Sequence, residues 1–243
     1  MIETKVEIPE IGAEALFFRP DAIADFPGVV FLTDIWGIRP ANISVAKRLA
    51  ERGFAVLMPN AFHRYSRMTP DGFEHGSQEE RMKALYALFA ALTPQNMVDD
   101  GKAYVDFLLA QKGVMQDKAG IVGYCFTGQM AVRTAAAVPD KVAAAASFHG
   151  GFLVTDKADS PHRILSPIKA RLYFGHAVED STATPEQVET LESALRDWHG
   201  AFESEFYHGA LHGWTVPGRD VYNQVQAKRA FEKLVELFEA TLG

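Results

Sequence analysis

A chain of 243 residues, 48% hydrophobic and 23% charged, has the composition of an ordinary globular protein able to bury a sizeable core. Its net charge of −7 argues against nucleic acid as a partner, and no window approaches the roughly 18 continuous apolar residues of a membrane span. The start, Met1-Ile2-Glu3-Thr4-Lys5, lacks the basic and apolar regions of a secretion signal, and one cysteine closes no intramolecular disulfide, so a cytoplasmic protein is expected.

In chain order, residues 3–8 and 13–18 read as two strands joined by a turn at 9–12, an opening antiparallel hairpin. Gly28-Val29-Val30-Phe31-Leu32 is wholly apolar and short, as expected of a strand buried on both faces. A helix is predicted over 41–52, with Pro40 near its first turn and Gly53 at its stop. A second buried strand, 55–58, ends at Pro59. From Asn60 to Gln78 the chain is aperiodic and carries Pro70, Gly72, His75 and Gly76, the pattern of a long functional or irregular connection. Helices follow over 79–92, with Met82, Leu85, Phe89 and Leu92 as its apolar stripe, and over 96–111. Beyond them lie a strand ending at Gly123, a helix over 128–138, strands at 143–148 and 170–174, a helix over 185–198, a strand at 202–207 and a terminal helix over 220–241. Strands alternating with helices predict an α/β fold with a mostly parallel sheet and helices on both faces, formed as one domain over 1–243.

In such sheets ligands bind beyond the carboxyl ends of the strands, and the reactive residue types fall there. Gly123-Tyr124-Cys125-Phe126-Thr127-Gly128 passes from strand to helix through a glycine-flanked bend that holds the only cysteine. This is the pattern of a nucleophile elbow, which lifts one side chain above the sheet edge at a helix N-terminus; the competing reading is a small buried hydrophobe. A thiol nucleophile needs a base, and an imidazole needs a carboxylate to orient it. The acid is sought at Asp180, with Glu179 as a neighbour, and the base at His212, with His208 as a competitor. The order Cys, Asp, His is that of the α/β-hydrolase triad. Amides beyond the first buried strand and beyond the thiol, those of Ile35 and Phe126, are candidates for an oxyanion site. Asp34 is either a turn residue or a carboxylate near the thiol, where its charge opposes thiolate formation. The histidines show no metal-ligand spacing, so neither metal nor other cofactor is expected.

These segments together resemble the dienelactone hydrolase family, the cysteine-nucleophile branch of the α/β-hydrolases, over nearly the full length. The elbow is similar to that family's G-Y-C-x-G-G, Asp34-Ile35-Trp36-Gly37 to its E-I-F-G, and Ala210-Leu211-His212-Gly213-Trp214 to its A-x-H-[GS]-F. The resemblance implies Cys125 as nucleophile, His212 as base, Asp180 as its orienting acid, and the amides of Ile35 and Phe126 as oxyanion hole. It implies that Asp34 stands where a glutamate touches the resting thiol, and that Arg81, Trp36 and Trp214 are substrate-binding candidates. It also implies hydrolysis of a small activated ester or lactone through an acyl-thioester. A broader carboxylesterase or thioesterase and a non-catalytic binding protein are the alternatives. Two departures stand out: Thr127 replaces a glycine, tightening the elbow or narrowing the oxyanion site, and Asp34 is a methylene shorter than glutamate.

Overall fold

The structure is a computed structural model that describes residues 1–69, 73 and 76–243. Pro70, Gly72 and His75 of the aperiodic connection lie outside the described residues. The strands are β1 (Ile2–Ile8), β2 (Ala13–Arg19), β3 (Phe26–Leu32), β4 (Ala55–Pro59), β5 (Val114–Tyr124), β6 (Val142–Phe148), β7 (Arg171–Glu179) and β8 (Phe202–Leu211). The helices are α1 (Pro40–Glu51), α2 (Gln78–Ala91), α3 (Pro94–Leu109), α4 (Gly128–Ala137), α5 (Pro185–Trp198) and α6 (Gln224–Leu242).

All eight strands form one sheet in the order β1-β2-β4-β3-β5-β6-β7-β8. β2 pairs antiparallel with β1 and β4, and every other pairing is parallel. The chain thus has the α/β-hydrolase fold. The uninterrupted apolar runs of β3 and β4 follow from burial on both faces. Val30, Leu32 and Leu57 point to a core shared with α3, α4 and α5, while Val29, Phe31 and Val56 point to a second core shared with α1 and α6. The stripe Phe231, Leu234, Val235 and Phe238 seats α6 on that second face.

Three segments differ from the sequence expectation. β7 and β8 run past 174 and 207, pairing from Leu172↔Phe202 through Ala177↔Tyr207 to Glu179↔Leu211, so His176 and His208 are strand residues. Gly175 reads as a loop signal, yet an added Cβ there would lie 2.9 Å from the rings of both Phe148 and Tyr207. Its smallness serves ring packing within the sheet. On α2, Met82 is exposed and Leu88 is buried, so the apolar stripe starts at Leu85 rather than Met82. Among the described residues, no helix is long and apolar enough to cross a membrane.

Candidate active site

Parallel pairing aligns the carboxyl ends of β3, β5, β6, β7 and β8 along one edge, which gathers Asp34, Cys125, His149, Asp180 and His212. Cys125 follows β5 directly, opens a short 3-10 turn over Cys125–Thr127, and leads into α4. It holds φ at 57°, a left-handed conformation that costs a non-glycine residue roughly 1 kcal/mol or more.

The surroundings hold that bend in place. The Thr127 hydroxyl accepts from the Tyr124 amide at 3.0 Å and lies 2.8 Å from the Thr33 carbonyl, to which it donates. The Gly151 amide donates to the Cys125 carbonyl at 3.1 Å. Thr127 is fully buried, tying the ends of β3 and β5 together, so it tightens the elbow. Thr127→Val keeps the shape but orphans a buried amide and a buried carbonyl. The variant is expected to lose about 2 kcal/mol, seen as a melting temperature lower by about 4–8 °C. An unchanged melt would remove the hydroxyl from the elbow's support.

His212 joins the thiol to the acid. Its Nε2 lies 3.1 Å from Cys125 Sγ and its Nδ1 2.6 Å from Asp180 Oδ2. Asp180 also accepts from the Thr182 amide at 2.8 Å and the Thr182 hydroxyl at 2.7 Å, and its side chain is almost wholly buried. The helix that follows is capped by Thr184, so Asp180 is not spent as a cap. Glu179 is exposed at the end of β7, and His208 is exposed on β8, where its carbonyl accepts from Gln226. Neither takes part in the chain of contacts.

Burial works against a charged imidazole at His212, but the hydrogen bonds to Asp180 and Cys125 outweigh it and push the group up to about 10. Asp180 is held below the ordinary carboxylate range: burial would raise it, and the bonds from His212 and Thr182 prevail. With the folded value above the ordinary 6.5, the His212 cation stabilises the fold fully below pH 6.5, and that contribution is lost as pH rises through about 10. The melting-temperature advantage of the native chain over His212→Gln is therefore expected to shrink across that window. An advantage that grows with pH would contradict a charged His212–Asp180 pair.

Asp34 is bonded within its own loop. Its carboxylate accepts from Arg39 in a buried ion pair and from the Trp36 amide at 3.3 Å. The shorter side chain is drawn into its own loop, towards a partner five residues ahead, while still lining the cleft that holds the thiol. Burial pushes the Asp34 carboxyl up, against the pull of Arg39 and the further charge of Arg219. The Ile35 amide meets no acceptor among the described residues, and the Phe126 amide lies in the first turn after the thiol, where amides lack intrahelical acceptors.

Asp34, Trp36, Cys125, His149, His212 and Arg219 line a cleft of about 270 Å³, counting its open mouth. Trp36 is therefore at the site. Trp214 is not: it is fully buried, stacked on Tyr207 at 4.9 Å, because its loop folds inward beneath the histidine. Arg81 is exposed on α2 and does not line the cleft; no ion pair to Glu79 or Glu80 forms among the described residues, and Glu80 instead completes a capping box with Ser77.

Sequence reasoning missed two liners. His149 directly follows β6 with φ at 40°, its Nε2 is 2.8 Å from the Thr215 hydroxyl, and its ring lies 5.1 Å from that of His212. Burial first, and then the positive charge of His212, keep it well below the ordinary imidazole range, so it stands as a neutral ring beside a charged one. Its position at a strand's carboxyl end was the available signal. Arg219 had none, since it sits in an irregular loop after His212. Among the described residues, no group of three or more His, Cys, Asp or Glu could hold a metal ion.

A profile described as the dienelactone hydrolase family matches residues 13–242. A Synechocystis protein provisionally named a carboxymethylenebutenolidase is 28% identical over 244 residues, spanning 98% of this chain and 97% of its own. The carboxymethylenebutenolidase of Rhodococcus opacus is 28% identical over 229 residues, spanning 88% of this chain and 81% of its own. Among solved structures, a provisionally named dienelactone hydrolase from Klebsiella pneumoniae superposes with a TM-score of 0.86 at 22% identity, over 98% of each chain. At that identity the superposition speaks for the fold alone.

Proposed function

The chain belongs to the dienelactone hydrolase family, and from that premise we propose that it hydrolyses small activated esters or lactones through Cys125, His212 and Asp180. The observation that carries this reading is the unbroken line from Cys125 Sγ through His212 to Asp180, at 3.1 Å and 2.6 Å. With His212 pushed up to about 10, its ring stands charged at neutral pH beside the sulfur, which reacts as the thiolate.

In the first half-reaction Sγ bonds to the carbonyl carbon and the carbonyl oxygen takes the negative charge, facing the amides of Ile35 and Phe126. As the oxyanion collapses, the bond from carbon to the ester or lactone oxygen breaks, and His212 Nε2 gives that oxygen its proton. The acyl group remains on sulfur as a thioester. In the second half, neutral His212 takes a proton from water, whose oxygen bonds to the same carbon. The carbon–sulfur bond breaks, the acid leaves, and the imidazolium with its thiolate returns. Asp180 keeps its charge throughout and holds the Nδ1 proton.

A thiolate is both a good nucleophile and a good leaving group, which suits activated esters and enol-lactones better than amides. We read the chain as one catalytic domain acting in the cytoplasm, where its lone thiol stays reduced. Thr127, which departs from the family's glycine, spends its hydroxyl on the elbow's backbone, which weakens the alternative of a non-catalytic binding protein.

The substrate class is tested by steady-state turnover of a dienelactone, p-nitrophenyl acetate, an acyl-thioester and an anilide. The reading expects turnover of the first two and the anilide slowest of all. Inertness towards both lactone and aryl ester would overturn it, and a thioester preferred over both would move the assignment to a thioesterase.

A further inference from the structure

Thr182 stands in the turn between β7 and α5, two residues past Asp180, and touches both the acid and the base of the thiol site. We propose that its hydroxyl is a positioning group for the triad, turning the Asp180 carboxylate so that one oxygen alone faces His212 Nδ1. The inference rests on the hydrolase reading and adds to it a fourth side chain that acts through the other three.

The two carboxylate oxygens are divided between two neighbours. Oδ1 accepts from the Thr182 amide at 2.8 Å and from the Thr182 hydroxyl at 2.7 Å, while Oδ2 faces His212 Nδ1 at 2.6 Å. The amide contact alone would be an ordinary turn, in which an aspartate folds onto the backbone two residues ahead. The hydroxyl goes further, because its oxygen also lies 3.4 Å from His212 Nδ1. Its single proton is given to Oδ1, so its lone pairs are what the Nδ1–H meets. The Nδ1 proton is thus held directly by Oδ2 and, more weakly, by a hydroxyl that Oδ1 itself polarises. That arrangement fixes the ring so that Nε2 is the nitrogen left for the thiol and for water.

The hydroxyl is available for this task and is seated for it. Thr184, not Thr182, caps α5. The Thr182 carbonyl accepts from the Phe152 amide at 3.4 Å, and a Cβ added at Gly151 would come within 3.1 Å of Thr182 Oγ1. Gly151 also donates its amide to the Cys125 carbonyl. The loop that supports the elbow therefore packs against the threonine as well.

The test compares Thr182→Val, Thr182→Ala and Thr182→Ser by proton NMR of the resting protein and by turnover of p-nitrophenyl acetate. The native chain is expected to show a far-downfield Nδ1 proton resonance, identified by its loss in His212→Gln. Both hydroxyl-free variants are expected to move that resonance upfield and to lower kcat about tenfold, with kcat/KM falling in step because binding is untouched. Thr182→Ser is expected to restore both readouts, and Thr182→Ala decides the matter where the valine methyl prevents folding. The resonance needs no turnover, so a chain inert towards esters sinks the hydrolase reading and leaves this inference to the NMR. A native chain without the resonance, a resonance that both hydroxyl-free variants leave in place, or a kcat lost equally in Thr182→Ser would overturn the proposal.

Discussion

Cys125→Ala is expected to lower kcat on p-nitrophenyl acetate by roughly 10⁴-fold, with the fold retained. The substitution removes Sγ alone. His212 keeps its 2.6 Å contact with Asp180, and the amides of Ile35 and Phe126 stay where the backbone puts them. What remains is the modest acceleration that a preformed oxyanion site and a positioned imidazole give to water. Because alanine also prefers negative φ, its burden at 57° is no greater than the native residue's, so the melting temperature is expected to hold. Steady-state turnover of both proteins, each verified as folded, decides the point. A variant within tenfold of the native rate would remove covalent catalysis by the thiol.

Gly123→Ala is expected to be the most damaging single methyl addition in the molecule's functional half. A Cβ at 123 would stand 2.2 Å from the Thr127 carbonyl oxygen and 2.6 Å from its carbon, with the Gly128 Cα at 2.9 Å. These are backbone atoms of the turn that presents the thiol, so no rotamer change relieves the overlap. The turn itself must shift. A cost of about 3 kcal/mol or more follows from overpacking against atoms that cannot yield, read as a melting temperature lower by about 6–12 °C. Activity is expected to fall further than stability alone explains, since the 3.1 Å contact between Sγ and His212 Nε2 depends on the turn's position. A native-like melt with native-like turnover would mean that the strand-to-helix bend is not the rigid platform argued for here.

How far the sequence carried this picture depends on whether a residue's role is set locally or across the sheet. β3 and β4 were legible because burial on both faces leaves an unbroken apolar run, and α6 because its stripe repeats at the helical period. The elbow was legible because close backbone approach demands glycine at 123 and 128 whatever the rest of the chain does. The ends of β7 and β8 were not. Their extension rests on pairing with each other, and the glycine within β7 signals ring packing that only the assembled sheet reveals. The partner of Asp34 was not legible for a related reason: its neighbour in space, Arg39, belongs to the approach to α1, which periodicity treats as mere loop. Trp214 lies two residues from His212, yet loop residues follow no period, so nothing local told that it turns inward. His149 belonged to a class the sequence did mark, residues just past a buried strand, but its neutrality follows from burial against His212, which is a tertiary fact.

The central claim is tested most directly by quenching the native chain in acid during turnover of p-nitrophenyl acetate and locating the label by peptide mass spectrometry. The account predicts a mass gain of one acetyl group on the peptide bearing Cys125, released by hydroxylamine and absent when His212 is replaced by glutamine. Turnover with no acyl group on that peptide, or with the group on another side chain, would contradict it.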